Sequence, residues 1–150
     1  MKNIAVIRAE YYDDVMKGLL DDFYKYAKEN NLDYNFKEFF VAGSMELPLA
    51  VKVLMEKGGF DGFAVFGCVI EGETFHNQLI QDNVYQSINQ LSLEYSKPVG
   101  FGVLTVKSMS QAIERSIGLK SRGHEAMAAL ESLFGIMDKA WQNQVKVVGF

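Results

Sequence analysis

The run Gly72-Glu73-Thr74-Phe75-His76 packs chemically capable groups into five consecutive residues. A glycine turn opening onto a helix offers unpaired backbone N–H groups and the positive end of the helix dipole, a setting that favours a phosphate or another anion. Thr74 would cap that helix or donate its hydroxyl to the anion, and a plain N-cap accounts for the same residues. His76 follows in the first helical turn, where the dipole favours the neutral imidazole, the form suited to accepting and returning protons. A solvated surface histidine is the simpler alternative. The other histidine, His124, is remote in sequence and Cys68 is the single cysteine, so a zinc cluster lacks ligands and an internal disulfide lacks a partner. No GK[ST] follows the turn and no GxGxxG occurs in the chain, which excludes a Walker loop and the dinucleotide fingerprint.

Further stretches carry groups of the same kind. In "AGSMELP" (42–48), Gly43 or Ser44 stands where a helix begins, and Glu46 falls within its first turn. A carboxylate is electrostatically favoured there, so Glu46 reads either as a cap or as an acceptor for ligand hydroxyls. Tyr11 presents a ring that would stack on a planar ligand or simply pack. Arg115 and Arg122 flank a loop containing Gly118 and would supply charge to a phosphate, unless they are solvated or paired with acids.

Alternating strands and helices must position these groups. Ile4-Ala5-Val6-Ile7 reads as a first strand, followed by a helix from about Asp13 with Val15, Leu19, Phe23 and Ala27 on one face. "YNFKEFFV" (34–41) is the second strand, followed by Leu47, Ala50, Val51, Leu54 and Met55 at helical spacing. Phe63-Ala64-Val65-Phe66 forms a buried third strand; Gly67 and Gly72 then bend the chain into a helix carrying Ile80, Val84, Ile88, Leu91 and Tyr95. "PVGFGVL" (98–104) is the fourth strand. A short helix near 108–116 and a longer one from about Gly123 follow, the latter carrying Met127, Leu130, Phe134, Met137 and Trp141 inward. Alternating β and α segments predict a single α/β domain over residues 1–150, a three-layer sandwich with a four-stranded parallel sheet, helices on both faces and right-handed crossovers. Ligands of such folds sit beyond the carboxyl ends of the strands, where "RAEYYDD", "VAGSMELP", "GCVIEGETFH" and "GVLTVKSMSQAIER" lie, and the unusual residue combinations fall mostly in these four.

Composition narrows the partners. A formal net charge of −4 without any basic block argues against nucleic acid. The start "MKNIAVIRAE" has no signal-peptide pattern and no apolar run approaches membrane-spanning length, so a soluble cytoplasmic protein without a membrane partner is expected.

The motifs "VAGSMELPLA", "GCVIEGETFH", "PVGFGVLT" and "QAIER…RGHEAMAAL", in this order and at these spacings, resemble the lumazine synthase family over nearly the whole chain. The resemblance implies a flavodoxin-like topology and condensation of 5-amino-6-ribitylaminouracil with 3,4-dihydroxy-2-butanone 4-phosphate, in the penultimate step of riboflavin synthesis. By motif, the family's phosphate contacts fall on Thr74, on the Gly72-Glu73 backbone and on Arg115 and Arg122, and its proton-shuttling histidine on His76. Ser44, Met45 and Glu46 fall on the ribityl-binding turn. Val69 and Ile70 offer backbone groups to the pyrimidine, Tyr11 matches the stacking aromatic, and Phe101 matches an aromatic that reaches the same ring from a neighbouring subunit. The resemblance implies no metal and no organic cofactor, since the condensation needs neither redox chemistry nor a carbanion sink. It also implies a homo-oligomer, with riboflavin synthase as a pathway partner. Glu71 and Glu10 stand where the family usually has basic residues, and the loop between Arg115 and Gly123 is one residue short. That loop, with a chain that opens directly on its first strand, leads to the expectation of an isolated pentamer rather than a larger shell. A riboflavin synthase of the archaeal type, a non-catalytic shell subunit and a flavodoxin-like binding module are the rival readings. The intact "GETFH" and "GSMELP" motifs disfavour the first, the joint retention of His76, Thr74, Arg115 and Glu46 the second, and the lack of a phosphate loop after the first strand the third.

Overall fold

The computed structural model describes residues 1–71, 77–118 and 121–148, and the side chains of all of these except 77 and 143–148. The chain runs β1 (Lys2–Ala9), α1 (Asp13–Glu29), β2 (Tyr34–Val41), α2 (Leu47–Lys57), β3 (Gly62–Ile70), α3 (Asn77–Tyr95), β4 (Val99–Val106), α4 (Met109–Glu114) and α5 (Arg122–Val148), with a single 3-10 turn over Ser44–Glu46 ahead of α2. All strand pairs are parallel, in the order β2-β1-β3-β4. Residue alternation along the strands splits the core between two faces. Ile4, Val6, Ala64, Phe66, Leu104 and Val106 pack with α1 and α5, while Ala5, Ile7, Phe63, Val65, Val99 and Val103 pack with α2 and α3. This is the predicted three-layer sandwich. No helix among the described residues is long and apolar enough to cross a membrane.

The order places the reversal of strand addition between β1 and β3: β2 adds on one side of β1, then β3 and β4 on the other. A crevice opens at such a switch point, outside the carboxyl ends of the strands.

Two sequence expectations change. Met127, Leu130 and Phe134 are buried as predicted, but Met137 is half-buried and Trp141 is 64% exposed. With 27 residues, α5 is about 40 Å long, whereas an eight-residue strand spans only about 27 Å. Its last turns therefore run past the sheet that the earlier ones cover. Gly67, expected at a bend, lies inside β3 instead. A Cβ there would stand 2.5 Å from Ser44 Oγ, so this glycine admits the chain after β2 onto the strand.

Close main-chain contacts also join α1 to the α4–α5 bend. A Cβ at Gly123 would lie 1.9 Å from the Leu19 carbonyl oxygen, and one at Gly18 would lie 2.8 Å from that of Ser116. Only glycine lets these backbones approach so closely.

Candidate active site

The chain leaves β1 through a tight corner. The Glu10 N–H donates to the Val41 carbonyl at 2.9 Å, and Tyr12 adopts the left-handed conformation at φ 58° and ψ 60° before α1 begins. A bulky residue is disfavoured there by about 1–2 kcal/mol. The corner is held on both sides: the Tyr12 carbonyl accepts from Met16 N–H at 3.0 Å. The largely buried Arg8 guanidinium pairs with Asp13 at 3.0 Å and lies over the Phe40 ring. Tyr11, at the apex, is 66% exposed.

Beyond β2 the chain turns through Gly43, which is extended, into the 3-10 turn, where the Glu46 N–H donates to the Gly43 carbonyl at 3.2 Å. Glu46 thus precedes α2 instead of lying in its first turn, and its side chain makes no capping hydrogen bond. The reading of Glu46 as a cap is corrected, and its carboxylate is exposed. A Cβ built at Gly43 would stand 3.8 Å from Tyr11 Cε2 and 3.9 Å from each Glu46 carboxylate oxygen. The ring after β1 and the acid after β2 therefore converge on one point.

These segments meet the end of β3 around a cleft of about 400 Å³ lined by Tyr11, Ser44, Met45, Glu46, Val69 and Ile70 among others. All six are among the residues singled out from the sequence, and one chain brings them together. Val69 and Ile70 lie in β3 itself, whose ladder with β4 runs to the Ile70–Val106 pair. Its hydrogen bonding then leads on to Glu71, whose N–H donates to Val106 at 2.7 Å.

Tyr12, Gly43, Cys68 and Ile80 also line the cleft and were not singled out for it. Tyr12 had a signal in the Tyr-Tyr doublet and Ile80 none beyond its helical period. Burial raises the Cys68 thiol from its ordinary 9.0 to about 11, so it stays protonated near neutrality and offers a neutral wall, not a nucleophile. Among the described residues no group of three or more His, Cys, Asp or Glu side chains could hold a metal ion.

Phe101, Arg115 and Arg122 do not line this cleft. Phe101 pairs with Val65 in the β3–β4 ladder, four residues before Val69, a separation of about 13 Å along the strand. Arg115 follows α4, and its carbonyl accepts from the Arg122 N–H at 3.2 Å, which closes the bend around Gly118 at φ 84°. The Arg122 guanidinium pairs with Glu125 at 3.1 Å. The sequence-predicted Gly72, Glu73, Thr74 and His76 lie outside the described residues. They fall between a strand end and a helix that both contribute to the cleft, through Ile70 and Ile80.

The family model for 6,7-dimethyl-8-ribityllumazine synthase matches residues 1–137 of this chain. The chain is 34% identical to the 6,7-dimethyl-8-ribityllumazine synthase of Campylobacter fetus over 142 residues, covering 90% of this chain and 88% of that protein. It is 38% identical over 130 residues to the enzyme of the same name from Streptomyces avermitilis, covering 84% and 79%. With that of Leuconostoc mesenteroides it shares 32% identity over 141 residues, covering 92% and 90%. Agreement of motif order, sheet order and near-complete coverage leaves one conclusion: the chain belongs to the 6,7-dimethyl-8-ribityllumazine synthase family.

Proposed function

We propose that this protein is a lumazine synthase whose active site is completed between two copies of the chain. It condenses 5-amino-6-(D-ribitylamino)uracil with 3,4-dihydroxy-2-butanone 4-phosphate, giving 6,7-dimethyl-8-ribityllumazine, phosphate and water. The aryl amine attacks the ketone to form an imine with loss of one water, phosphate leaves by elimination, and ring closure with loss of a second water follows. Tyr11 stacks on the pyrimidine, Val69 and Ile70 offer it backbone groups, and Ser44, Met45 and Glu46 hold the ribityl chain. Thr74, the Gly72-Glu73 backbone, Arg115 and Arg122 hold the phosphate, so that positive charge faces the group whose negative charge grows as it departs. His76 moves the protons that each step requires. The enzyme works in the cytoplasm without metal or organic cofactor and delivers its product to a riboflavin synthase.

The observation that carries the shared site is the separation within one chain. Six candidate residues line one cleft, while Phe101 sits about 13 Å back along the sheet from Val69 and the two arginines occupy a bend that does not touch that cleft. A neighbour that brings its β4 edge to the cleft reunites them, and a ring of five such contacts is the assembly proposed.

Subunit complementation tests this. His76→Ala and Arg115→Ala chains are refolded together, so that some interfaces join an intact His76 to an intact Arg115. Lumazine formation followed by fluorescence should exceed the sum of the separate variants. Activity no greater than that sum, in rings shown by native mass spectrometry to be mixed, places both residues in one subunit's site. The same spectra count the subunits, and any mass other than a pentamer's rejects the isolated ring.

A further inference from the structure

Phe101 is not alone on the β4 edge. Tyr85, on α3, lies against it with ring centroids 4.8 Å apart and planes within 17° of parallel, the one stacked pair among the ring contacts of the described residues. The Tyr85 hydroxyl donates to the Val103 carbonyl at 3.2 Å. That carbonyl has a particular orientation. At the two ends of the ladder the Phe63 N–H donates to the Pro98 carbonyl at 3.0 Å and the Glu71 N–H to the Val106 carbonyl at 2.7 Å. Successive peptide groups alternate in direction along a strand, so the even-numbered carbonyls of β4 face β3 and the odd-numbered ones face the open edge. Val103 therefore presents an edge carbonyl with no strand partner, and the Tyr85 hydroxyl occupies it.

Side chains also alternate, so Phe101 and Val103 share a sheet face. Tyr85 thus grips β4 twice within one strand period, through the ring at Phe101 and through the hydroxyl at Val103. Burial holds the phenol above its ordinary pKa, with Arg122 opposing and Glu125 reinforcing the shift. The hydroxyl accordingly remains a donor throughout the neutral range, and Arg122 lies within electrostatic reach of it.

We propose that Tyr85 is the positioning residue for Phe101: anchored at Val103, its ring backs one face of the Phe101 ring and fixes the plane in which the other face stacks on the aminouracil substrate of the neighbouring subunit. This rests on the reading of Phe101 given under Proposed function. Tyr85 does not touch the substrate. It limits the orientations of the ring that does, so its loss weakens ring binding without altering the phosphate contacts.

The test is steady-state kinetics with both substrates varied, on Tyr85→Phe, Tyr85→Leu, Phe101→Leu and the Tyr85→Leu/Phe101→Leu double variant, each confirmed as assembled by native mass spectrometry. An offset aromatic pair of this kind supports an effect of about three- to ten-fold. Tyr85→Leu should raise the KM for the aminouracil by that factor and leave the KM for the butanone phosphate within about two-fold. Tyr85→Phe, which keeps the stack but loses the Val103 anchor, should raise the aminouracil KM by less than Tyr85→Leu does and leave the KM for the butanone phosphate within about two-fold. On the Phe101→Leu background, Tyr85→Leu should add nothing further. An equal rise in both KM values, or an added loss in the double variant, overturns the assignment in favour of general packing. If Phe101→Leu raises the aminouracil KM and Tyr85→Leu does not, the assignment of Tyr85 alone fails. If Phe101→Leu leaves that KM unchanged, the reading of Phe101 fails first and Tyr85 falls with it. Tyr85→Met, an unbranched apolar replacement without a ring, serves the same comparison should Tyr85→Leu not assemble.

Discussion

The Arg122 N–H donates to the Arg115 carbonyl at 3.2 Å, so the arginine that follows α4 and the one that opens α5 leave the backbone at adjoining points. Their side chains differ in commitment. Arg122 is paired with Glu125 at 3.1 Å, whereas Arg115 makes no ion pair among the described residues. On the proposed reading, Arg115 is therefore the stronger candidate to hold the phosphate. Arg115→Ala should raise the KM for the butanone phosphate by about 10–100-fold, the range for losing a charged hydrogen bond, and Arg122→Ala by less. Initial rates at varied phosphate substrate check the ranking, and a larger effect at Arg122 reverses it.

His76 should matter less than its chemistry suggests. An amine and a ketone held in reacting geometry need little further assistance to condense, so holding the substrates in place should supply much of the rate. His76→Ala should lower kcat by about 10–100-fold, at or below the low end for acid–base groups, with substrate KM values little changed. Single-turnover measurement of lumazine formation decides it. A dead His76 variant beside a nearly normal Arg115→Ala enzyme would falsify this division of roles.

Catalysis should survive prolonged dialysis against EDTA, because each proposed step is a proton transfer or a charge stabilisation by the chain's own groups. Loss of activity that returns on adding a divalent ion rejects this.

Gly123→Ala should destabilise the fold, since the new Cβ would stand 1.9 Å from a main-chain oxygen that no side-chain rotation can move. Overpacking of this kind costs about 1–3 kcal/mol or more, visible as a lower Tm. An unchanged Tm means that the α1–α5 crossing is looser than described.

The alkaline limb of stability should be steep. Cys68 is raised from 9.0 to about 11 by burial, and Tyr24 is raised by burial and by donating to Glu38 at 2.5 Å. A raised acid keeps its proton in the fold after the unfolded chain has lost it, so stability is full below the unfolded value and falls as pH climbs. Tm should drop from pH 9 through pH 11, and Cys68→Ala should flatten that part of the curve. An unaltered slope in the variant assigns the limb to the tyrosines.

Helical period identified α1 well: Val15, Leu19, Phe23 and Ala27 are all buried. It failed at Trp141 because a period says which residues share a face but not where the opposing layer ends. Gly67 was legible as unusual yet misread, since sequence does not reveal that Ser44 approaches it. The left-handed Tyr12 was hidden for a related reason: a bulky residue adopts that conformation only when tertiary contacts impose it. Tyr11, Ser44, Met45, Glu46, Val69 and Ile70 were found by motif, and the fold gathers them. The family resemblance implied that Phe101 and the two arginines come from a neighbouring subunit, and none of the three lines that cleft within one chain.

The main-chain contacts of Gly18 with Ser116 and of Gly123 with Leu19 have a thermodynamic consequence for the arginine bend. Both join backbone to backbone, so Ser116 and Gly123, each one residue from an arginine, are packed against α1 before any ligand arrives. At those two positions an anion would leave only the neighbouring arginine side chains to order, at about 0.5–1.5 kcal/mol for each one immobilised. If the proposed phosphate contacts hold, the share of the binding entropy that falls on Arg115 and Arg122 should be that of a few rotamers, and calorimetry comparing Arg115→Ala with the parent chain should read it as such.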